Sequence, residues 1–245
     1  MIESDLKSNS WEIFNRIAHR YDFLNRFLSF RQDVRWRKAV IRIMTEHRIN
    51  PKRYFDIATG TCDQILELCR RLIPDTIVGM DMSENMLRLG KSKIHEKGPG
   101  KPVFLIQGDG MQIPFRDRYF DCITISFGIR NFADLEKSLN EMHRILVQGG
   151  HLFILEFSLP YNKIFRFFYL FYFRRILPKL GGMISGDKMA YGYLNKTVES
   201  FPYGRNMINI LEESGFKNTG EYTLFFGIAT IYLAQKAERG NKISQ

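Results

Sequence analysis

Apolar positions at Trp11, Phe14, Ile17 and Ala18, then at Tyr21, Leu24, Phe27 and Leu28, recur by threes and fours. That spacing predicts an amphipathic helical cap over the first fifty residues. Its polar members Tyr21, Asp22, Asn25 and Ser29 fit either a surface or a pocket wall. The period then changes. Tyr54, Phe55, Ile57 and Ala58 suit a short buried strand, and Thr59-Gly60-Thr61 supplies a tight turn into a helix predicted over 63–72. Further strands are predicted at 76–80, 103–107, 121–127 and 152–157. Between the last two lies a helix with Asp134 as candidate N-cap, an apolar face of Leu135, Leu139, Met142, Ile145 and Leu146, and a stop at Gly149-Gly150. A helix over 207–214 and an antiparallel pair near 219–225 and 229–236, turned at Phe226-Gly227, close the chain.

Strands alternating with helices imply a parallel sheet covered on both faces. The expected fold class is therefore α/β: a Rossmann-like, doubly wound sheet of seven strands, mostly parallel, ending in an antiparallel hairpin. A single domain is predicted, with 1–50 as helical cap, 51–158 as cofactor-binding half, 159–203 as helical insertion and 204–237 as closing helix and hairpin. The polar tail from Glu238 is expected to be mobile.

The insertion changes the picture most. Its segment NKIFRFFYLFYFRRILPK at 162–179 would be apolar around most of a helix, which calls for burial against the domain, a partner or a membrane interface. Formal net charge is +10, and it is unevenly spread. From 16 to 53 there are eleven Lys or Arg against Asp22, Asp33 and Glu46, and from 157 to 186 five cations and no acid. Such stretches suit phosphate, on nucleic acid or on an anionic membrane, or are simply solvated. Cys62, Cys69 and Cys122 have no metal-like spacing, so no metal is expected and a reducing cytosol fits. No secretory leader is apparent, and the longest apolar run, 167–173, is far below the roughly 20 residues of a membrane span.

Candidate chemistry gathers at strand ends. Gly60 allows close approach of backbone to a ligand beside the amides of the next helix. Asp81 ends the second strand, 21 positions on, where a carboxylate can accept from both hydroxyls of a ribose or can cap the following helix. Asp109 follows the third strand. Open α/β sheets bind ligands at the carboxyl ends of their strands, so Gly60, Asp81 and Asp109 are expected to converge on one crevice.

Four strings carry a resemblance: YDFLNRFLSF at 21–30 with Trp36, FDCITISFGIRN at 120–131, HRILVQGGHLFILEFSLP at 143–160 and YGYLNKTVESFP at 191–202. They resemble the ubiquinone and menaquinone biosynthesis C-methyltransferases, class I S-adenosylmethionine-dependent enzymes, over nearly the whole chain. Two departures stand out. A histidine usual in the amino-terminal signature is Asp33 here, and two glycines of the cofactor loop are Thr59 and Cys62.

The resemblance implies S-adenosyl-L-methionine as cofactor, with Thr61 contacting it in the loop, Asp81 at the ribose, Asp109 and Gly110 at the adenine, and Ser126 closing the site. It implies a prenylated quinol as substrate, demethylmenaquinol in preference to a benzoquinol, met peripherally at an anionic membrane on the cytoplasmic side. A homo-oligomer is left open, and no nucleic-acid partner is expected. Methylation of a ring carbon needs a phenolate, which a cation or donor favours. Arg130 and Asn131 are the expected stabilisers, and water, Asp22 or Asp33 the expected proton acceptor. Two other readings fit the same fold: an RNA methyltransferase, and a membrane-surface module without catalysis. Cys62 is expected to point away from the cofactor, into packing.

Overall fold

The protein is described here by a computed structural model over residues 10–179 and 188–237. The tail expected from Glu238 lies outside these residues. Five strands carry the apolar runs of the middle of the chain: β1 (Arg53–Ile57), β2 (Thr76–Asp81), β3 (Val103–Gln107), β4 (Phe120–Ser126) and β5 (Leu146–Phe157). With β6 (Phe216–Leu224) and β7 (Ala229–Lys236) they form one seven-stranded sheet in the order β3-β2-β1-β4-β5-β7-β6. Strands β1 to β5 are parallel, and β7 runs antiparallel to β5 and β6. Chain order thus reverses at β1, and the crevice opens at the carboxyl ends of β1 and β4.

Helices α1 (Ser10–Leu28), α2 (Gln32–Glu46), α3 (Asp63–Leu68), α4 (Glu84–Lys97), α5 (Leu135–Ile145), α6 (Lys163–Phe171), α7 (Lys188–Ser200) and α8 (Arg205–Glu213) complete the described fold. Side chains alternate across each strand, so neighbouring residues serve opposite layers. Phe55, Phe120 and Ile123 pack with Leu139, Met142 and Leu211 of α5 and α8, whereas Tyr54, Cys122 and Phe153 pack with Ile41, Met44 and Ile65 of α2 and α3. Both layers are mainly apolar because the strands carry apolar residues on both faces.

Asp134 caps α5, accepting from the Lys137 amide at 2.8 Å. The helix ends at Ile145, not at the glycine pair, and Leu146 opens β5 at once, paired with Phe120. A buried lysine replaces the expected glycine stop. Lys236 Nζ donates to the carbonyls of His143 (2.6 Å) and Leu146 (2.9 Å), satisfying groups at a helix end that carries partial negative charge. Helix α3 is also shorter than predicted, ending at Leu68.

The aromatic segment is helical through α6 and continues as a π-helical turn over Tyr172–Ile176. Tyr169, Phe173 and Leu177 face inward and pack with Leu24 of α1, Leu159 and Val198 of α7. Leu170 and Tyr172 are half-buried against the same cluster, and Ile164, Phe167, Phe168, Phe171 and Ile176 face outward. Among the described residues no helix is long and apolar enough to cross a membrane.

Candidate active site

Two adjoining cavities lie beneath α1. The smaller, about 220 Å³, is floored by the carboxyl ends of the parallel strands: Gly60 after β1, Asp81 of β2, Asp109 and Gly110 after β3, and Ser126 of β4. Trp11, Phe14 and Tyr21 of α1 form its roof. The larger, about 240 Å³, is walled mainly by α1, α2 and the α6 segment. Phe14, Tyr21 and Phe127 line both.

The loop after β1 is tied by its backbone to the end of β2. Gly60 has φ +55° and open space where a Cβ would stand. Its amide donates to Asp81 Oδ2 at 2.8 Å, and Asp81 Oδ1 accepts from the Ser83 amide at 2.8 Å. Ser83, not Asp81, caps α4, its hydroxyl accepting from the Met86 amide. Backbone donors thus orient both oxygens of Asp81 at the edge of the cavity. Burial raises its pKa, against the pull of those amides. Asp109 Oδ1 accepts from the Met111 amide at 2.9 Å, and a Cβ on Gly110 would come within 2.5 Å of the Phe132 ring.

The two residues standing in place of loop glycines are turned away from the cavity. Thr59 Oγ1 donates to Asp56 at 2.6 Å. Cys62 is fully buried, and its sulfur packs where Gly90 of α4 has no side chain, as expected from the sequence. An adenosyl group thus meets no bulk from either residue.

Two of the expected residues are engaged in a polar cluster beside the cavities. Thr61 Oγ1 donates to Asp22 Oδ1 at 2.6 Å, and Lys93 Nζ reaches Asp22 Oδ2 at 2.7 Å and also Asp63. Asp63 in turn binds Arg26 at 2.9 Å. The Thr61 and Asp22 side chains are spent in this cluster, and neither residue lines either cavity. Sequence spacing could not distinguish them from Tyr21, Asn25 and Ser29, which do line the larger one.

Arg130 and Asn131 sit on a short turn after β4 and part company there. Asn131 lines the smaller cavity, with its buried Oδ1 unpartnered. Arg130 lines the larger one and is 4% exposed. Its Nη1 donates to Glu156 Oε1 at 2.9 Å and to the Phe127 carbonyl, and its guanidinium lies 5.4 Å from the Phe157 ring centre. Burial raises the Glu156 pKa, and Arg130 opposes that rise. Glu156 was missed by sequence reasoning, although a lone acid inside the apolar run FILEF is a readable signal.

Among the described residues, Arg130 Nε, Trp36 Nε1 and Tyr169 OH of the larger cavity's wall are buried without a hydrogen-bond partner. Buried polar atoms are nearly always satisfied, so these atoms around one apolar space mark where a polar ligand group fits. Among the described residues Asp33 is the one carboxylate of that wall; it is buried and accepts from Ser29 Oγ at 2.9 Å.

A family model described as the ubiE/COQ5 methyltransferase family matches residues 4–236. The chain belongs to the ubiE/COQ5 methyltransferase family. It is 39% identical to the demethylmenaquinone methyltransferase of Bacteroides fragilis, over 92% of this chain and 91% of that protein. It is 42% identical to the ubiquinone/menaquinone biosynthesis C-methyltransferase UbiE of Geobacter sulfurreducens, over 92% and 87%. A solved S-adenosylmethionine-dependent methyltransferase from Thermotoga maritima shares the fold at TM-score 0.63 and 17% identity, over 93% of this chain and 99% of that one. The protein is a methyltransferase of this family, and its methyl donor is S-adenosyl-L-methionine. The smaller cavity fits that donor: an open glycine, a strand-end carboxylate oriented by backbone donors and an unpartnered Asn131 amide oxygen.

Proposed function

We propose that this methyltransferase methylates a ring carbon of a prenylated quinol, demethylmenaquinol in the first place, held in the larger cavity. The observation that carries the reading is the set of unpartnered polar atoms, Arg130 Nε, Trp36 Nε1 and Tyr169 OH, in an otherwise apolar wall beside the donor cavity. An isoprenoid tail suits the apolar wall, and quinol oxygens suit the orphaned donors.

Gly60, Asp81, Asp109, Gly110, Ser126 and Asn131 hold S-adenosyl-L-methionine, which when bound supplies an electrophilic methyl carbon. The chain's other residues have to orient the ring, exclude water and make the ring carbon nucleophilic. A phenolic hydroxyl with a pKa of about 10 is mostly protonated at neutral pH. Donors fixed in a dry pocket favour its anion. Glu156 fixes the Arg130 guanidinium by one edge and leaves Nε towards the cavity, so Arg130 acts as a donor and not as a base. Asp33 is the proton acceptor. Because the tail resides in a bilayer, the protein works peripherally, at an anionic membrane on the cytoplasmic side.

Incubation with methyl-labelled donor and each quinol, with the product identified by mass, tests the reading. Arg130→Ala and Asp33→Asn are each expected to lower kcat by about 100-fold or more while leaving donor affinity within a few-fold. Normal turnover in both variants would remove these residues from catalysis, and absence of any methylated quinol would remove the substrate assignment.

A further inference from the structure

The described residues expose large apolar side chains in ordered stripes. On α1, Phe23 and Phe27 are 58% and 48% exposed with rings stacked 5.9 Å apart, and Phe30 just beyond the helix is 75% exposed. On α6, Ile164, Phe167, Phe168 and Phe171 are 73%, 67%, 63% and 56% exposed. Their spacing of three and four places them on one helical face. A third group, Phe225 and Phe226 at 47% and 72%, forms the tip between β6 and β7. Ring contacts join the three: Phe30 lies 6.5 Å from Tyr172, which follows α6, and Phe165 of α6 lies 5.0 Å from Phe226. A stripe of this kind ordinarily turns to the core. Here it forms a continuous outward patch, the mark of a binding face.

Two further observations select the occupant. Phe30 and Phe225 belong both to this patch and to the wall of the larger cavity, so the apolar surface runs without a break into the space assigned to the substrate. The chain from 157 to 179 carries Lys163, Arg166, Arg174, Arg175 and Lys179 and no acid; Arg174 is paired with Glu199 of α7, which leaves the other four as the positive excess. Apolar residues rimmed by cations complement a layer with an apolar interior and an anionic surface.

We propose that this face docks on an anionic lipid bilayer, with the outward stripes of α1 and α6 and the β6–β7 tip entering the interfacial layer. The larger cavity then opens at Phe30 and Phe225 directly against hydrocarbon, and a prenyl chain passes between them without crossing water. The last step rests on the quinol reading; the docking face does not.

Sedimentation with vesicles of equal parts phosphatidylglycerol and phosphatidylcholine, against vesicles of phosphatidylcholine alone, tests it. The protein is expected to bind the anionic vesicles more tightly, and the combined substitutions Phe167→Ser, Phe168→Ser and Phe171→Ser to weaken that binding on the order of tenfold or more. None of the three lines a cavity. Turnover on a tail-less, water-soluble quinol is expected to be unchanged, while turnover on prenylated quinol in vesicles falls with binding. Circular dichroism checks the fold, and Phe23→Ser with Phe27→Ser on α1 is the independent second variant, expected to weaken binding likewise. Vesicle binding by either variant at the wild-type level overturns the proposal. So does a wild-type protein that ignores anionic vesicles, or a dimer in sedimentation velocity that these substitutions dissociate. Vesicle binding lost in both variants, from a protein that methylates no quinol, supports the docking face and overturns only the substrate reading.

Discussion

Cys62 and Gly90 share one volume. A methyl group built on Gly90 would stand 2.5 Å from Cys62 Sγ, so the thiol occupies the notch that the missing side chain leaves in α4. Burial pushes the thiol up to about 12, which makes Cys62 a packing group and not a nucleophile. Gly90→Ala is expected to cost about 1–3 kcal/mol through overpacking. Adding Cys62→Gly should recover most of it, because the φ of 66° at this position also suits glycine. Urea midpoints of the two single variants and the double variant measure the coupling; equal losses with and without the thiol would show that the two do not share space. The sequence marked Cys62 as a departure from the usual loop. It could not show the absence opposite that accommodates it, because the partner lies on another element.

At the scale of elements, α1 is a roof clasped at three points. Asn15 accepts from the Ser83 hydroxyl at 2.8 Å, Asp22 joins Thr61 and Lys93, and Arg26 pairs with Asp63. The clasp matters because Phe14 and Tyr21 border both cavities, so donor and acceptor sites share one cover. Lys93 is its hub, bridging Asp22 and Asp63 from α4. Lys93→Met leaves Asp63 with Arg26, and Asp22 with Arg26 and the Thr61 hydroxyl. The expected loss is about 1.5–3 kcal/mol of local stability, a rise of roughly 10- to 100-fold in amide exchange along α1. Donor affinity should fall as well. Exchange in α1 at the wild-type rate would mean that apolar packing alone holds the roof. The helix itself was legible in its apolar period, but its clasps join positions far apart in the chain, and no local pattern specifies such pairings.

For the molecule as a whole, two carboxylates among the described residues are buried in the sheet, Glu156 beside Arg130 and Asp56 among hydroxyls. Asp56 is 1% exposed beneath the donor loop and accepts from Thr59 Oγ1 at 2.6 Å and Thr124 Oγ1 at 2.5 Å. Desolvation outweighs those bonds and raises its carboxyl from 3.8 to about 6. With the folded pKa above the unfolded one, the stabilising contribution is complete below the unfolded value and is lost as pH rises through about 6. The loss amounts to about 3 kcal/mol. Stability of wild type relative to Asp56→Asn should therefore decline by about that amount between roughly pH 3.5 and pH 7. A flat or rising difference across that window, from denaturant midpoints at each pH, would refute the assignment. The same whole-molecule view gives weight to the exposed aromatic stripes, since each solvent-facing Phe forgoes roughly 1.5–3 kcal/mol of burial.

The sequence by itself determined the α/β order of elements and the strand-end positions Gly60, Asp81 and Asp109, while Ser126 entered through the resemblance to a family. The element order and the first three positions follow from local period and from turns, where neighbouring residues alone settle the outcome. Only the tertiary structure decided that Thr61 and Asp22 join a clasp, that Arg130 and Asn131 face different cavities, that Glu156 fixes Arg130, and that α6 turns Phe167, Phe168 and Phe171 outward. Each of those depends on which distant atoms fill the space around a side chain. The same residue types at the same spacing would accept either arrangement until the packed chain excludes one.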